Sequence, residues 1–333
     1  MTITLANRIK DLPPYLFAAI DKMKQEAIAR GKDVINLGIG DPDLPTPTPI
    51  IERLQAASAD PGNHQYPSYD GMPSFRLAVA KWVQDRFNVT LNPDNEVAAK
   101  IFFINYPNNP TGAVANVAFF ESVVAFARRY NILICHDAAY SELYYDGGTT
   151  PARGTTPASV RPASFLEVPG ATEVGIEFHS LSKTFNMTGW RIGFVVGNKD
   201  AVAALLKVKS NLDSGVFQAV QEAGIAALEL PESQLEAIRK IYQERKDLFI
   251  GGLNRLGLRV ASAEAGFYVW INTPPNVTST AFAARFLSEA DIVVTPGNGF
   301  GEAGEGYIRV ALTCAEERLV EALRRMEKAK IFG

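Results

Sequence analysis

The chain has 333 residues, enough for one large domain or two ordinary ones with an enzyme-sized core. Hydrophobic residues make up 47% and charged residues 21%, the composition of an ordinary soluble globular protein, which excludes a fibre or a disordered chain. With 33 Lys+Arg against 36 Asp+Glu, the net charge of -3 lacks the basic field that phosphate-backbone binding needs, so nucleic acid is not an expected partner.

In chain order, apolar residues at Leu16, Ile20, Met23, Ala27 and Ile28 predict a helix over Tyr15 to Arg30 with one face packed inward. DVINL (Asp33 to Leu37) reads as a short strand, and GIGDPDLPTPTP after it is too rich in Pro to continue as a helix. The glycines Gly38 and Gly40 do not make a dinucleotide fingerprint, because Asp43 stands where a third glycine belongs. Helices are expected from Pro49 to Ala59 and from Pro73 to Phe87, the second with Phe75, Val79, Trp82, Val83 and Phe87 on one stripe.

From Lys100 the pattern becomes strand, loop and helix: KIFFINYP, NNPTGAV and AFFESVVAFARRY, then the strand NILICHDAAY, a βαβ unit. After a Gly/Thr/Pro-rich loop, GIEFHSLSK and WRIGFVVG add two strands, predicting a parallel or mixed sheet covered on both faces. A long helical stretch beyond Gly197 ends in ESQLEAIRKIYQERKDLFIGGLNRLG, long enough to link two domains, and the tail alternates strand and helix as a small α+β domain.

Cys135 and Cys314 lie far apart within apolar runs and read as small buried hydrophobes in a reducing compartment. The opening residues carry no uninterrupted apolar stretch of signal-peptide length, and no segment approaches the roughly 18 apolar residues of a membrane span, so a cytoplasmic protein is expected. The triplets at Asn88, Asn186 and Asn276 are then chance matches to a glycosylation acceptor. His64, His136 and His179 show no metal-ligand spacing and suit structural roles.

The chemistry gathers at strand exits. Lys183 follows GIEFHSLS directly, at the end of a strand where open α/β sheets build their sites. Ser180, Ser182 and Arg191 offer hydroxyl donors and a guanidinium fork suited to a phosphate. Asn109, Asp137 and Tyr140 stand at or just after other strand ends, so a sheet would bring them to the same edge. Any one of them alone reads as a turn Asn, a cap Asp, a half-buried Tyr or a solvated Lys. Together they suit pyridoxal 5'-phosphate: a lysine amine kept neutral for attack on its aldehyde, Asp137 against the ring nitrogen, and Asn109 and Tyr140 on the phenolic oxygen.

NNPTG (Asn108 to Gly112), DAAY (Asp137 to Tyr140) and SLSKTFNMTGWRIG (Ser180 to Gly193) resemble the class I/II aminotransferases of fold type I, over nearly the whole chain. The resemblance implies a mostly parallel sheet with helices on both faces plus a small α+β domain. It also implies an arm with part of the small domain over 1–40, a large cofactor domain over 41–235 and the rest of the small domain over 236–333. Lys183 would be the catalytic amine that holds the cofactor and moves the substrate Cα proton. Arg309 and Gly40 would meet the substrate α-carboxylate, and Tyr66 would reach the cofactor phosphate of a partner subunit, implying a homodimer. LGIGDPDLPTP, HQYPSYDGMPSFR and SNLDSGVFQAVQEAGIAAL resemble the LL-diaminopimelate aminotransferases within that family, implying amino and 2-oxo acid substrates in lysine biosynthesis. Aspartate, alanine or aromatic aminotransferases and a carbon-sulfur lyase are the alternatives.

One departure from the family stands out. After NPDNEV (Asn92 to Val97) the sequence runs straight into AAKIFFINYPNNPTG, where the family has about 60 more residues, roughly two βαβ units. Those residues open a helix on the cofactor phosphate and stack an aromatic on its ring, so losing them weakens both attachments. Either the natural polypeptide is longer, which an intact mass above 36.2 kDa identifies, or the chain has an internal deletion and is a dimeric, non-catalytic remnant.

Overall fold

The computed structural model describes residues 16–65, 72–88, 101–145, 161–258, 260 and 263–332. It begins with helix α1 (Leu16–Ala29), strand β1 (Ile35–Asn36), α2 (Thr48–Ser58) and α3 (Pro73–Phe87). Then come β2 (Ile101–Asn105), α4 (Val117–Tyr130), β3 (Leu133–Asp137), β4 (Gly175–Ser180), β5 (Gly193–Gly197), α5 (Lys199–Lys209), α6 (Gln218–Leu228) and α7 (Glu232–Arg255). The remainder is β6 (Tyr268–Asn272), α8 (Ser279–Ala290), β7 (Ile292–Val293), β8 (Thr295–Pro296), β9 (Tyr307–Ala311) and α9 (Glu316–Lys328).

Two compact units separate. One comprises Met1–Gly40, Leu248–Ala261 and Trp270–Gly333, the other Asp41–Asp247 and Ser262–Val269, and α7 runs from the second into the first. The second unit carries a four-stranded sheet in the order β2-β3-β4-β5. Its first three strands are parallel and β5 is antiparallel to β4. Helix α4 is the crossover between β2 and β3, as a parallel pair requires. It starts on an Asn116 side chain that accepts the Phe119 N–H, and stops at Asn131, whose positive φ of 49° an asparagine tolerates better than most residues.

Alternation along the strands sends residues to two cores. Ile104, Ile134 and Phe120 join the stripe of α3, in which Phe75, Val79, Trp82, Val83 and Phe87 are all buried as their spacing predicts. Leu133, Cys135 and Ile176 face the other way, against Ala201 and Val202 of α5. Helices therefore cover both faces of the sheet. At α1 the helix forms, and of the expected stripe among side chains 22–29 Ala27 is buried whereas Met23 and Ile28 are exposed.

In the first unit, β1 pairs in parallel with β7, and a second sheet has the order β6-β9-β8. Among the described residues no helix is long and apolar enough to cross a membrane. Neither Cys135 nor Cys314 is in a disulfide; Cys135 is buried as expected, whereas Cys314 is partly exposed.

Candidate active site

Parallel strands present their C-terminal ends together, and the register fixes which residues meet. Asn105 is opposite Asp137, Asp137 is opposite Phe178 two residues before Ser180, and Ser180 is opposite Gly193 of the antiparallel β5. The exits carrying Asn109, Asp137, Tyr140, Ser180, Ser182, Lys183 and Arg191 thus share one edge of one sheet.

Local chemistry shapes each exit. The Asn105 side chain accepts the Asn109 N–H at 2.9 Å and donates to the Asp137 carbonyl at 2.8 Å, linking the two exits. Asn108 accepts the Thr111 hydroxyl at 2.7 Å and the Thr111 N–H at 3.1 Å, closing the NNPTG turn, in which Asn109-Pro110 is cis. Gly112 ends the motif with φ 71°, where a Cβ would stand 2.9 Å from the Ala265 carbonyl, so only glycine fits without strain.

Asp137 closes β3 with its residue exposed and one carboxylate oxygen accepting the Ala139 N–H at 3.2 Å. Tyr140 is buried, and its hydroxyl lies 3.2 Å from that of Tyr268. Ser180 caps the helical turn Leu181–Thr184 by accepting the Ser182 N–H at 3.2 Å. Lys183 within that turn lies with its Nζ 5.7 Å from the ring centre of Phe267. Arg191 is exposed, in a left-handed conformation at φ 53°, and donates to the Thr188 carbonyl at 3.0 Å. Gly193 lets β5 approach this edge: a Cβ there would lie 2.5 Å from the His179 carbonyl. A cleft of about 350 Å³ between α3 and α6, lined by Trp82, Arg86 and Leu235 among others, contains none of these residues.

Of the two residues expected at a substrate carboxylate, Arg309 meets the segment just before Gly40, although 269 positions separate the two in sequence. Leu37, Gly38 and Ile39 present successive carbonyls to the Ala311 N–H (2.7 Å), the Arg309 guanidinium (2.8 Å) and the Thr313 hydroxyl (2.8 Å). Arg309 lies in the middle of β9, 4% exposed, with its guanidinium 4.8 Å from the Phe300 ring centre. Tyr66 lies outside the described residues.

Three residues at this edge escaped the sequence reading. Asn105 had a signal, a polar residue closing an apolar strand just before NNPTG. Tyr268 had none, because its partner is 128 positions away. Glu177 stands in an apolar strand between two positions that were read only as strand, and it is fully buried.

The donor set fits a pyridoxal phosphate: an exposed carboxylate for the ring nitrogen, an amine for the aldehyde, and a guanidinium with a serine hydroxyl for the phosphate, all at one edge. Residues 32–99 and 89–326 match the family model described as aminotransferase class I and II. An LL-diaminopimelate aminotransferase of Syntrophobacter fumaroxidans is 47% identical over 397 residues, which cover 98% of this chain and 99% of that one. One of Aquifex aeolicus is 44% identical over 395 residues, covering 98% and 99%. The solved structure of an aminotransferase from Staphylococcus aureus superposes with a TM-score of 0.86 at 28% identity, covering 99% of this chain and all of that one. An alignment of 397 positions to 333 residues leaves at least 64 positions unmatched, and the two family-model stretches meet at 89–99, where the sequence departs from the family. On motifs, fold and likeness, the chain belongs to the class I and II aminotransferases, enzymes that work with pyridoxal 5'-phosphate.

Proposed function

We propose that the enzyme moves an amino group between LL-diaminopimelate and 2-oxoglutarate, in the cytoplasm and as a homodimer. The observation that carries this reading is the meeting of Asn109, Asp137, Tyr140 and Lys183 at one sheet edge, in a chain with curated LL-diaminopimelate aminotransferase relatives at 41–47% identity.

The cofactor, when bound, supplies an electron sink for the charge left when a substrate Cα–H bond breaks. The residues do the rest. Asp137 would keep a proton on the ring nitrogen, and Asn109 and Tyr140 would donate to the phenolic oxygen. Ser180, Ser182 and Arg191 would anchor the phosphate, with the partner subunit's Tyr66. Arg309 pairs its guanidinium with the substrate α-carboxylate, while Gly40 presents backbone with no side chain in the way. With the substrate so held, the Nζ of Lys183 would take the proton from the substrate Cα and deliver it to the carbon that bears the cofactor's aldehyde.

The mechanism is tested by loading the protein with pyridoxal phosphate, reducing with borohydride and mapping the label. Lys183 is the expected site, and a folded protein without label there overturns the assignment. The substrate is tested by spectral conversion of the bound cofactor: glutamate and LL-diaminopimelate should both drive it. A response to glutamate together with aspartate, alanine or an aromatic amino acid, and none to LL-diaminopimelate, replaces the substrate.

A further inference from the structure

The proposed mechanism leaves unused a buried polar cluster directly beneath the site. Glu177 of β4 is fully buried on the aromatic face of the sheet, opposite His136 in the strand register, and His179 follows two residues on, facing the same side. The carboxylate takes hydrogen bonds from His136 Nδ1 (2.7 Å), His179 Nε2 (2.7 Å), the Ser164 hydroxyl (2.8 Å) and the Phe165 N–H (3.0 Å). Rings close over it. His179 is stacked 4.9 Å from Phe194 and 5.8 Å from Phe87, and His136 lies 5.1 Å from Phe120.

The cluster is hydrogen-bonded on every side that the strands leave open. His136 Nε2 is 2.8 Å from the Tyr106 carbonyl, which can only accept. Its Nδ1 faces Glu177, whose carboxyl is pushed up by burial but held well below the usual range because the hydrogen bonds and charges of His136 and His179 outweigh it. Both ring nitrogens of His136 and Nε2 of His179 thus have hydrogen-bond partners in a cluster shut away from water.

The positions of its members matter more than their charge. Tyr106 is three residues before Asn109, His136 immediately precedes Asp137, and His179 immediately precedes Ser180, with Lys183 four residues on. One carboxylate and two imidazoles tie together the exits of β2, β3 and β4. We infer that His136, Glu177 and His179 are positioning residues, which set the relative placement of Asn109, Asp137 and Lys183 through the strand ends they pin. This inference rests on Lys183 being the lysine that holds the cofactor.

One variant tests it. Glu177→Gln should raise the dissociation constant for pyridoxal phosphate at least tenfold, lower kcat with little change in KM, and move the pH midpoint of the bound-cofactor absorbance. If that variant does not fold, Glu177→Asp, which keeps the charge but withdraws it by one methylene, takes its place with the same readouts. A folded variant with wild-type cofactor affinity and pH midpoint, in a protein whose wild type is borohydride-labelled at Lys183, overturns this inference alone. Absence of label in the folded wild type overturns the site assignment and this inference with it.

Discussion

Strands β2 and β4 lie in the same sheet and invert what their sequences suggest. IFFIN in β2 is almost wholly apolar, yet Ile101, Phe102 and Phe103 are 58%, 46% and 70% exposed. EFHS in β4 carries a carboxylate and an imidazole, yet Glu177 and His179 are buried. The difference lies in the neighbours. Strand β4 has a partner on each side, and β3 and the Ser164–Phe165 turn supply donors to its polar groups, whereas β2 is an edge strand of the described sheet. A polar side chain goes inside where hydrogen bonds meet it, and an apolar one stays outside where nothing covers it.

The largest effect expected is at the buried edge. Lys183→Ala should lower single-turnover amino transfer by about 10³-fold or more, since one residue both holds the cofactor and moves the proton. A smaller loss would mean that another group moves the proton. Asp137→Asn should lower kcat by about 10²- to 10³-fold by removing a preorganised charge from the ring nitrogen, read in steady-state kinetics with saturating cofactor.

Next in size is a stability effect at another buried polar group. Glu142 is 2% exposed and pairs with Arg86, which also pairs with Glu232. Glu142→Gln leaves a half-buried guanidinium poorly matched and should cost about 3 kcal/mol in urea unfolding. Burial pushes the Glu142 carboxyl up, but the charge and hydrogen bonds of Arg86 prevail, so it is held below its ordinary value, as Glu177 is. Groups with depressed values contribute stability above the unfolded value of about 4.3 and lose it as pH falls through the folded value. Unfolding midpoints should therefore hold from pH 7 to pH 5 and drop below about pH 4, by less in Glu142→Gln than in the wild type.

The smallest effect is expected at β2. Phe103→Lys should change folding stability by less than about 0.5 kcal/mol and leave kcat alone, because the ring makes little buried contact. It should also reduce self-association in sedimentation, as a charge on an open strand edge does. An unaltered association state would show that this edge is already covered in solution.

Much of this arrangement was legible from residues alone. The stripe of α3, the βαβ unit around NNPTG and the strand exits before Asp137 and Lys183 are local patterns, because period and turn chemistry act within a few positions. The inward face of α1 was not, since burial of Met23 and Ile28 depends on what lies opposite them. Nor was the role of Glu177: a carboxylate in an apolar strand is a liability until His136, His179, Ser164 and Phe165 are placed around it. The pairing of Arg309 with the Gly38 carbonyl spans 271 positions, and Tyr140 with Tyr268 spans 128. By itself the sequence determined which residues could do the chemistry and which elements they end. Tertiary structure alone decided which of them meet and which polar groups are held dry, because hydrogen bonds and burial are properties of neighbours in space.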